Sequence, residues 1–152
     1  MALYLVQHGK SLPKEEDPEQ GLSETGEKET ARIAEVARGY GVAVSVIHHS
    51  TKKRAAQTAR CFADALSPLN GIQEITGLKP MDDVKTMAGT INSRDNRMLV
   101  GHLPFLSRLL SLLITGDTEK PLFSFQNSGV VCLDMTETGD WVIKWTLMPH
   151  IS

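Results

Sequence analysis

The chain of 152 residues has few aromatic side chains, only two cysteines, almost no net charge and no long apolar run. Cys61 and Cys132 lie far apart in apolar stretches, which predicts buried free thiols, with one disulfide in a secreted protein as the alternative. A net charge of −2 provides no global field for binding nucleic acid or an anionic membrane. The apolar run around Leu109–Ile114 cannot span a bilayer, and Met1–Val6 is too short for a signal peptide, so we expect a cytoplasmic protein.

The five histidines show no metal-ligand spacing, and we predict neither a metal nor another cofactor. His48 and His49 are adjacent in an extended segment and should point to opposite faces. We expect His150 to be solvated. Trp141 and Trp145, at even spacing in one strand, are predicted to share a buried face.

Strand-like and helix-like patterns alternate along the chain. Helices are predicted after a Ser23 cap, over Lys52–Leu66, after Asp82 or Asp83, and over Phe105–Thr115. Strands are predicted over Leu3–Val6, Val42–Ile47, Met98–Gly101, Val130–Met135 and Trp141–Met148. This order predicts one α/β domain over residues 1–152: a three-layer sandwich with a mainly parallel central sheet, helices on both faces and a C-terminal antiparallel hairpin.

Three of the predicted strands end in a turn that carries ionisable groups. His8, Arg54 and His102 follow those strands, and the carboxyl ends of parallel strands meet at one edge of a sheet. Ser50 or Thr51 can cap the second helix, whose N-terminus favours an anion. The sequence therefore predicts a phosphate pocket, with an arginine fork for the oxygens and room at Gly9 for close approach.

The same segments resemble conserved blocks of the histidine phosphatase superfamily. Tyr4–Ser11 (YLVQHGKS) resembles Leu-x-Arg-His-Gly, and Leu22–Gly26 (LSETG) resembles Leu-Thr-x-x-Gly. Ser50–Ala59 (STKKRAAQTA) is similar to Ser-Pro-x-x-Arg-Ala-x-Gln-Thr-Ala, and Leu99–Pro104 (LVGHLP) to Val-Gly-His-x-Pro. The blocks occur in the family's order, and the short chain resembles the SixA-type phosphohistidine phosphatases with their phosphoglycerate mutase-like fold.

The resemblance implies that His8 attacks phosphorus and forms a phosphohistidine that water then hydrolyses. Arg54 and His102 would hold the phosphoryl oxygens as the other catalytic residues. Further substrate-binding positions are expected at Gly9, Ser50, Asn127 and Ser128, although the last two also suit a simple turn.

The family's arginine before the nucleophile is replaced here by Gln7. We expect Gln7 to contact substrate through its amide and to leave catalysis weakened, and Lys10 is a candidate for restoring the missing charge. The family's general acid has no clear counterpart. Asp82 or Asp83 could donate the proton, and both are equally well explained as helix caps.

The leading prediction is therefore a phosphatase acting on phosphohistidine or a related phosphoramidate, in signalling or phosphotransfer. The substrate would be a phosphorylated protein or a small phosphorylated molecule, and the pocket would also take a phosphate or sulfate ion. Two alternatives stay open: a pseudophosphatase that binds phosphate or phosphoproteins without turnover, and a small-molecule phosphomonoesterase.

Overall fold

A six-stranded sheet forms the centre of the molecule, whose computed structural model describes residues 2–151. The strands are β1 (Leu3–Gln7), β2 (Val46–His49), β3 (Ile72–Glu74), β4 (Arg97–Gly101), β5 (Val130–Met135) and β6 (Trp141–Leu147). Their order across the sheet is β3-β2-β4-β1-β5-β6. The first four strands in this order pair in parallel, while β5 and β6 are antiparallel. The predicted mainly parallel sheet with a C-terminal hairpin is confirmed.

Helices cover both faces of the sheet, so the three-layer prediction is also confirmed. They are α1 (Glu24–Gly39), α2 (Lys53–Leu66), α3 (Val84–Ala88) and α4 (Phe105–Thr115), and a 3₁₀ turn spans Ser93–Asp95. The α1 and α2 side buries a core that contains Ile33 and Phe62. The α3 and α4 side buries a second core that contains Met87 and Leu106. The prediction of one domain over residues 1–152 stays a prediction.

The start of α1 is held against the loop that follows β1. Ser23 caps the helix as predicted, because its Oγ accepts a hydrogen bond from the Gly26 N–H at 3.0 Å. A Cβ on Gly26 would collide with the Lys10 carbonyl oxygen, so only glycine allows this close approach. The same carbonyl accepts the Ser23 N–H at 2.9 Å, which fixes the loop beyond Gly9 on the helix N-terminus.

Two boundaries differ from the sequence prediction. The second strand begins at Val46 rather than Val42, and the three-residue β3 was not predicted. Both strands are short, and β3 lies at the edge of the sheet, where it pairs only with β2. A three-residue strand is too short to give a readable period-two pattern.

The prediction that Trp141 and Trp145 share one face is wrong. Cys132 pairs with Trp145, but the next residue of β5 pairs with Ile143, so Lys144 is an extra residue in β6. A bulge of this kind reverses the alternation of side chains along a strand. Trp145 therefore packs on the first core, with its ring 6.0 Å from that of Tyr4, while Trp141 packs on the second core.

Neither Cys61 nor Cys132 forms a disulfide. None of the helices within residues 2–151 combines the length and the apolar character needed to cross a bilayer.

Replacement of Phe62 by alanine should lower the free energy of unfolding by about 3–5 kcal/mol, because its ring is fully buried between α2 and the sheet. Leu69→Ala is the control, since Leu69 is 88% exposed and should change stability by less than about 0.5 kcal/mol. Urea unfolding of the three proteins measures both values. Equal losses for the two variants would contradict the burial of the Phe62 ring between α2 and the sheet.

Candidate active site

The pairing of β1 with β4 brings two histidines together at the carboxyl end of the sheet. Gln7 lies opposite Gly101 in the parallel register, and the His8 N–H donates to the Gly101 carbonyl at 3.0 Å. His102 directly follows β4, and its ring centroid lies 5.0 Å from that of His8. Two imidazoles thus lie side by side at the edge where parallel α/β sheets bind ligands.

The His8 ring is oriented by the backbone of the next residue. Its Nδ1 lies 2.7 Å from the Gly9 carbonyl oxygen, which can only accept, so Nδ1 carries the proton. The other nitrogen, Nε2, accepts a hydrogen bond from Arg54 Nε at 3.4 Å. The pKa of His8 is lowered mainly by burial. The hydrogen bond to Gly9 raises this pKa, and the positive charge of Arg54 lowers it. The ring is therefore neutral near pH 7, with an unprotonated Nε2 directed at Arg54.

His102 is fully buried and also neutral. Its Nε2 lies 2.6 Å from Ser50 Oγ, while its Nδ1 has no hydrogen-bond partner among residues 2–151. Burial is the main cause that lowers the pKa of His102 to about 3, and electrostatic interactions with His8, Arg54 and Lys52 lower it further. A buried ring nitrogen without a hydrogen-bond partner costs free energy, and this cost falls on Nδ1 of His102.

Arg54 lies in the first turn of α2, but the cap of this helix differs from the prediction. Lys52, rather than Ser50 or Thr51, is the N-cap residue, and it makes no side-chain capping bond. The Ser50 hydroxyl bonds His102 instead and accepts the Lys52 N–H at 3.3 Å. The helix dipole therefore supports Arg54 in favouring an anion near His8.

Thr58 joins the nucleophile loop to α2 and was not singled out from the sequence. Its buried Oγ1 accepts the Gly9 N–H at 2.9 Å and donates to the Arg54 carbonyl at 2.8 Å. This one hydroxyl therefore sets the position of His8 relative to Arg54. The available signal was its spacing, because a threonine four residues after Arg54 can bond that carbonyl within one helical turn.

Asn127 and Ser128 support the loop from the other side. The Asn127 amide donates to the His8 carbonyl at 2.8 Å. The Ser128 hydroxyl is fully buried and lies 2.7 Å from Thr30 Oγ1. Thr30 Oγ1 also lies close to Gly9, because a Cβ added to Gly9 would come within 2.6 Å of it. In this structure both residues position the backbone around His8, and Thr30 is a further support that the sequence patterns did not reveal.

Gln7 and Lys10 lie on either side of the nucleophile segment. The Gln7 Oε1 atom is buried and has no hydrogen-bond partner among the described residues. Lys10 is exposed, and none of the ion pairs within residues 2–151 involves it. Lys53, by contrast, pairs with Asp17 at 2.9 Å. Lys10 is thus free to move toward a bound anion, whereas Lys53 is engaged elsewhere.

Asp82 and Asp83 accept hydrogen bonds from neighbouring backbone groups. Asp82 accepts the Lys79 N–H at 2.9 Å, and Asp83 caps α3 by accepting the Lys85 N–H at 2.9 Å. That bond chiefly lowers the pKa of Asp83. Both carboxylates line a cavity of about 330 Å³ whose wall includes Thr51, next to Ser50. Their role as general acid stays a prediction.

The other histidines lie outside this cluster. His48 Nδ1 accepts from Arg97 Nε at 2.7 Å on one face of β2, while His49 Nδ1 bonds the Ser50 carbonyl at 2.8 Å. His150 is half-exposed rather than fully solvated, because its Nε2 lies 2.9 Å from the buried Glu29 carboxylate. Within residues 2–151, no group of three or more His, Cys, Asp or Glu side chains could hold a metal ion.

Comparison with known proteins identifies the class. The model of the histidine phosphatase superfamily (branch 1) matches residues 3–88, more than half of the chain. Over 72 residues, or 44% of the chain, the sequence is 42% identical to a phosphoglycerate mutase of Candida albicans, and this match covers only 29% of that mutase.

Known structures cover nearly the whole chain. The protein histidine phosphatase SixA, in complex with tungstate, superposes with a TM-score of 0.82 at 23% identity, covering 98% of this chain and 97% of that one. A SixA-type protein from Agrobacterium tumefaciens gives a TM-score of 0.76 at 26% identity, with 97% of each chain covered.

This chain belongs to the histidine phosphatase superfamily. Within it, the chain has the short SixA-type form of the fold, and the predicted resemblance is confirmed.

The buried neutral state of His102 predicts a pH-dependent stability. Between about pH 6.5 and 3 only the unfolded chain protonates this ring, so the free energy of unfolding falls with decreasing pH by about 1.4 kcal/mol per unit for this proton. His102→Gln should reduce the slope near pH 5 by about one proton. Denaturant titrations across pH measure the slope, and the neighbouring Leu103→Ala should keep the wild-type value. Identical slopes for His102→Gln and the wild type would contradict this assignment.

Proposed function

We propose that the protein is a phosphohistidine or related phosphoramidate phosphatase that works through a covalent phosphohistidine on His8. The observation that carries this proposal is the orientation of one ring: Nδ1 is held by Gly9, so the unprotonated Nε2 points at the Arg54 guanidinium. A nucleophilic nitrogen and a cation that fits phosphoryl oxygens thus share one position.

In the first step His8 Nε2 attacks phosphorus in line with the leaving nitrogen. The N–P bond to His8 forms while the bond to the leaving group breaks, and the leaving nitrogen takes up a proton. Arg54 and the adjacent His102 ring would stabilise the negative charge on the equatorial oxygens. In the second step water attacks phosphorus, which releases phosphate and returns the neutral His8.

A nitrogen leaving group suits a site with a weak general acid. Asp83 accepts hydrogen bonds from Lys85 and Thr86, which favour its ionised form, so it is a poor proton donor near pH 7. Phosphoramidates need less help from an enzyme acid, since their nitrogen can be protonated before it leaves. The protein histidine phosphatase SixA that shares this fold supports the same substrate class. We further propose a phosphorylated protein as substrate and a cytoplasmic location.

Gln7 favours a second candidate, a pseudophosphatase that binds phosphorylated partners with little turnover. Loss of an arginine hydrogen bond to the transition state costs about 1.5–3 kcal/mol, or roughly ten- to a hundredfold in rate. That cost reduces turnover without removing Arg54, His8 or His102. The two functions are therefore separated by whether the phosphohistidine forms and decays.

Incubation with a ³²P-labelled phosphoramidate should place acid-labile label on His8 that decays as phosphate appears, because His8 Nε2 is the unprotonated nucleophile. His8→Ala should take up no label. The control is His150→Gln, which replaces a half-exposed histidine bonded to Glu29 and should label normally. Anion binding by the wild type without any label would establish the binding protein instead.

Restoring the family's arginine should increase turnover. Gln7→Arg is expected to raise kcat/KM for the phosphoramidate by roughly ten- to a hundredfold, since a second guanidinium can stabilise the transferring group. Steady-state kinetics measure the change. A variant with unchanged or lower kcat/KM that still folds would show that the natural site is not attenuated by Gln7.

Lys10 is expected to supply part of the missing charge. Lys10→Ala should lower kcat/KM by about two- to fivefold at low ionic strength and less at high salt, because an exposed ammonium interacts weakly and is screened. Lys14→Ala, which removes another exposed lysine from the same loop, should have no effect. Unchanged kinetics and phosphate affinity in Lys10→Ala would exclude the compensation.

A further inference from the structure

A cavity of about 330 Å³ lies beside His102, where the strands β2 and β4 end. Thr51 forms part of its wall and directly follows Ser50, whose hydroxyl lies 2.6 Å from His102 Nε2. The loop after β3 forms another part of the wall. The Leu78 carbonyl oxygen of this loop would lie 3.4 Å from a Cβ on Gly101, the residue before His102. Thr51 and the loop therefore place the cavity next to this histidine.

The strand order places the cavity on the far side of His102 from the nucleophile. The strand β4, which leads to His102, lies between β1 on one side and β2 and β3 on the other. His8 follows β1, whereas the cavity wall follows β2 and β3. Phosphoryl transfer needs the attacking and leaving atoms roughly in line. The leaving group of a phosphoryl group held between His8 and His102 would therefore extend toward this cavity.

The wall of the cavity is rich in hydrogen-bonding groups and has more carboxylates than cations. Its polar side chains are Thr51, Thr76, Lys79, Asp82, Asp83 and Thr86. Within residues 2–151, neither carboxylate is in an ion pair. The backbone hydrogen bond from Lys85 chiefly lowers the pKa of Asp83, so this carboxylate is ionised near pH 7. The cavity thus suits a small group that carries N–H donors and positive charge, and its volume is at the lower end for a ligand site.

We propose that this cavity binds the leaving group of the substrate and favours an aliphatic amine or a guanidine, both of which are cationic once released. The inference rests on the proposed phosphatase activity and ranks its phosphoramidate substrates, with those of lysine-like and arginine-like side chains preferred. A released imidazole is largely neutral at neutral pH and gains less from the carboxylates. Because both carboxylates are accessible to solvent, the preference is modest and falls as the salt concentration rises.

Two phosphonates of equal length test the cavity without turnover. Aminopropylphosphonate and butylphosphonate share the phosphonate group and differ only in having an ammonium or a methyl group at the other end. Calorimetric titration of the wild type at neutral pH and low ionic strength should give the amine about a two- to fivefold lower Kd, which is the size expected for an exposed ion pair. At high salt the two Kd values should become nearly equal.

A matched pair of double variants locates the effect. Asp82→Asn with Asp83→Asn removes both charges and keeps a side chain that can cap α3, so the preference for the amine should fall below about 1.5-fold. Asp64→Asn with Glu137→Gln removes two exposed carboxylates that do not line the cavity, and it should keep the preference. Both double variants change the net charge equally, and circular dichroism confirms that each is folded.

Substrates should follow the same order. The ratio of kcat/KM for phospholysine to kcat/KM for phosphohistidine should fall about two- to fivefold in the Asp82 and Asp83 double variant and stay unchanged in the control. Comparing this ratio between proteins cancels the different intrinsic reactivities of the two substrates.

The outcomes distinguish this inference from the function on which it rests. Equal Kd values for the two phosphonates in the wild type would overturn the role of the cavity and leave the phosphatase proposal standing, because labelling of His8 tests that proposal separately. The role of the cavity would also be overturned if the Asp82 and Asp83 double variant kept the preference, or if the control lost it. Binding of neither phosphonate would overturn this inference alone if His8 is labelled, and both proposals if it is not.

Discussion

The register between β1 and β4 is the constraint on which the site depends. Because Gln7 lies opposite Gly101 and the His8 N–H bonds the Gly101 carbonyl at 3.0 Å, the two imidazoles follow neighbouring strands at the same height. A slip of one residue would turn His8 to the other face of the sheet. Both strands are buried on both sides, so the apolar cores that stabilise the fold also fix the separation of the catalytic rings.

Hydroxyl side chains fix the orientation of the ionisable groups that this register brings together. Thr58 links Gly9 to the Arg54 carbonyl, and Ser50 bonds His102, so each ionisable group is held by a short neutral side chain. Because these hydroxyl side chains are neutral, none of these contacts places a carboxylate against the Arg54 charge. The positive potential therefore remains available to a ligand, while buried and satisfied hydrogen bonds keep the geometry rigid.

Much of this arrangement could be predicted from sequence, because strand ends in parallel sheets converge regardless of detail. From that rule we predicted that His8, Arg54 and His102 lie close together. The helix predicted over Phe105–Thr115 has the same bounds as the observed α4. The failures arise where pairing rather than local pattern decides. The extra Lys144 in β6 follows from register against β5, and the Ser50 hydroxyl bonds a histidine 52 residues away instead of capping α2. Neither partner is visible in a local window of sequence.

The low charge of the site can affect substrate affinity and kcat differently. A contact made equally with substrate and transition state changes affinity and leaves kcat unchanged. The lost guanidinium would mainly affect kcat, since charge on the oxygens changes during transfer.

The phosphoryl group of a phosphorylated side chain becomes singly charged below about pH 6. Burial lowers the pKa of His8, which extends the neutral nucleophile into that range. Substrate protonation and nucleophile deprotonation can therefore coexist in one site.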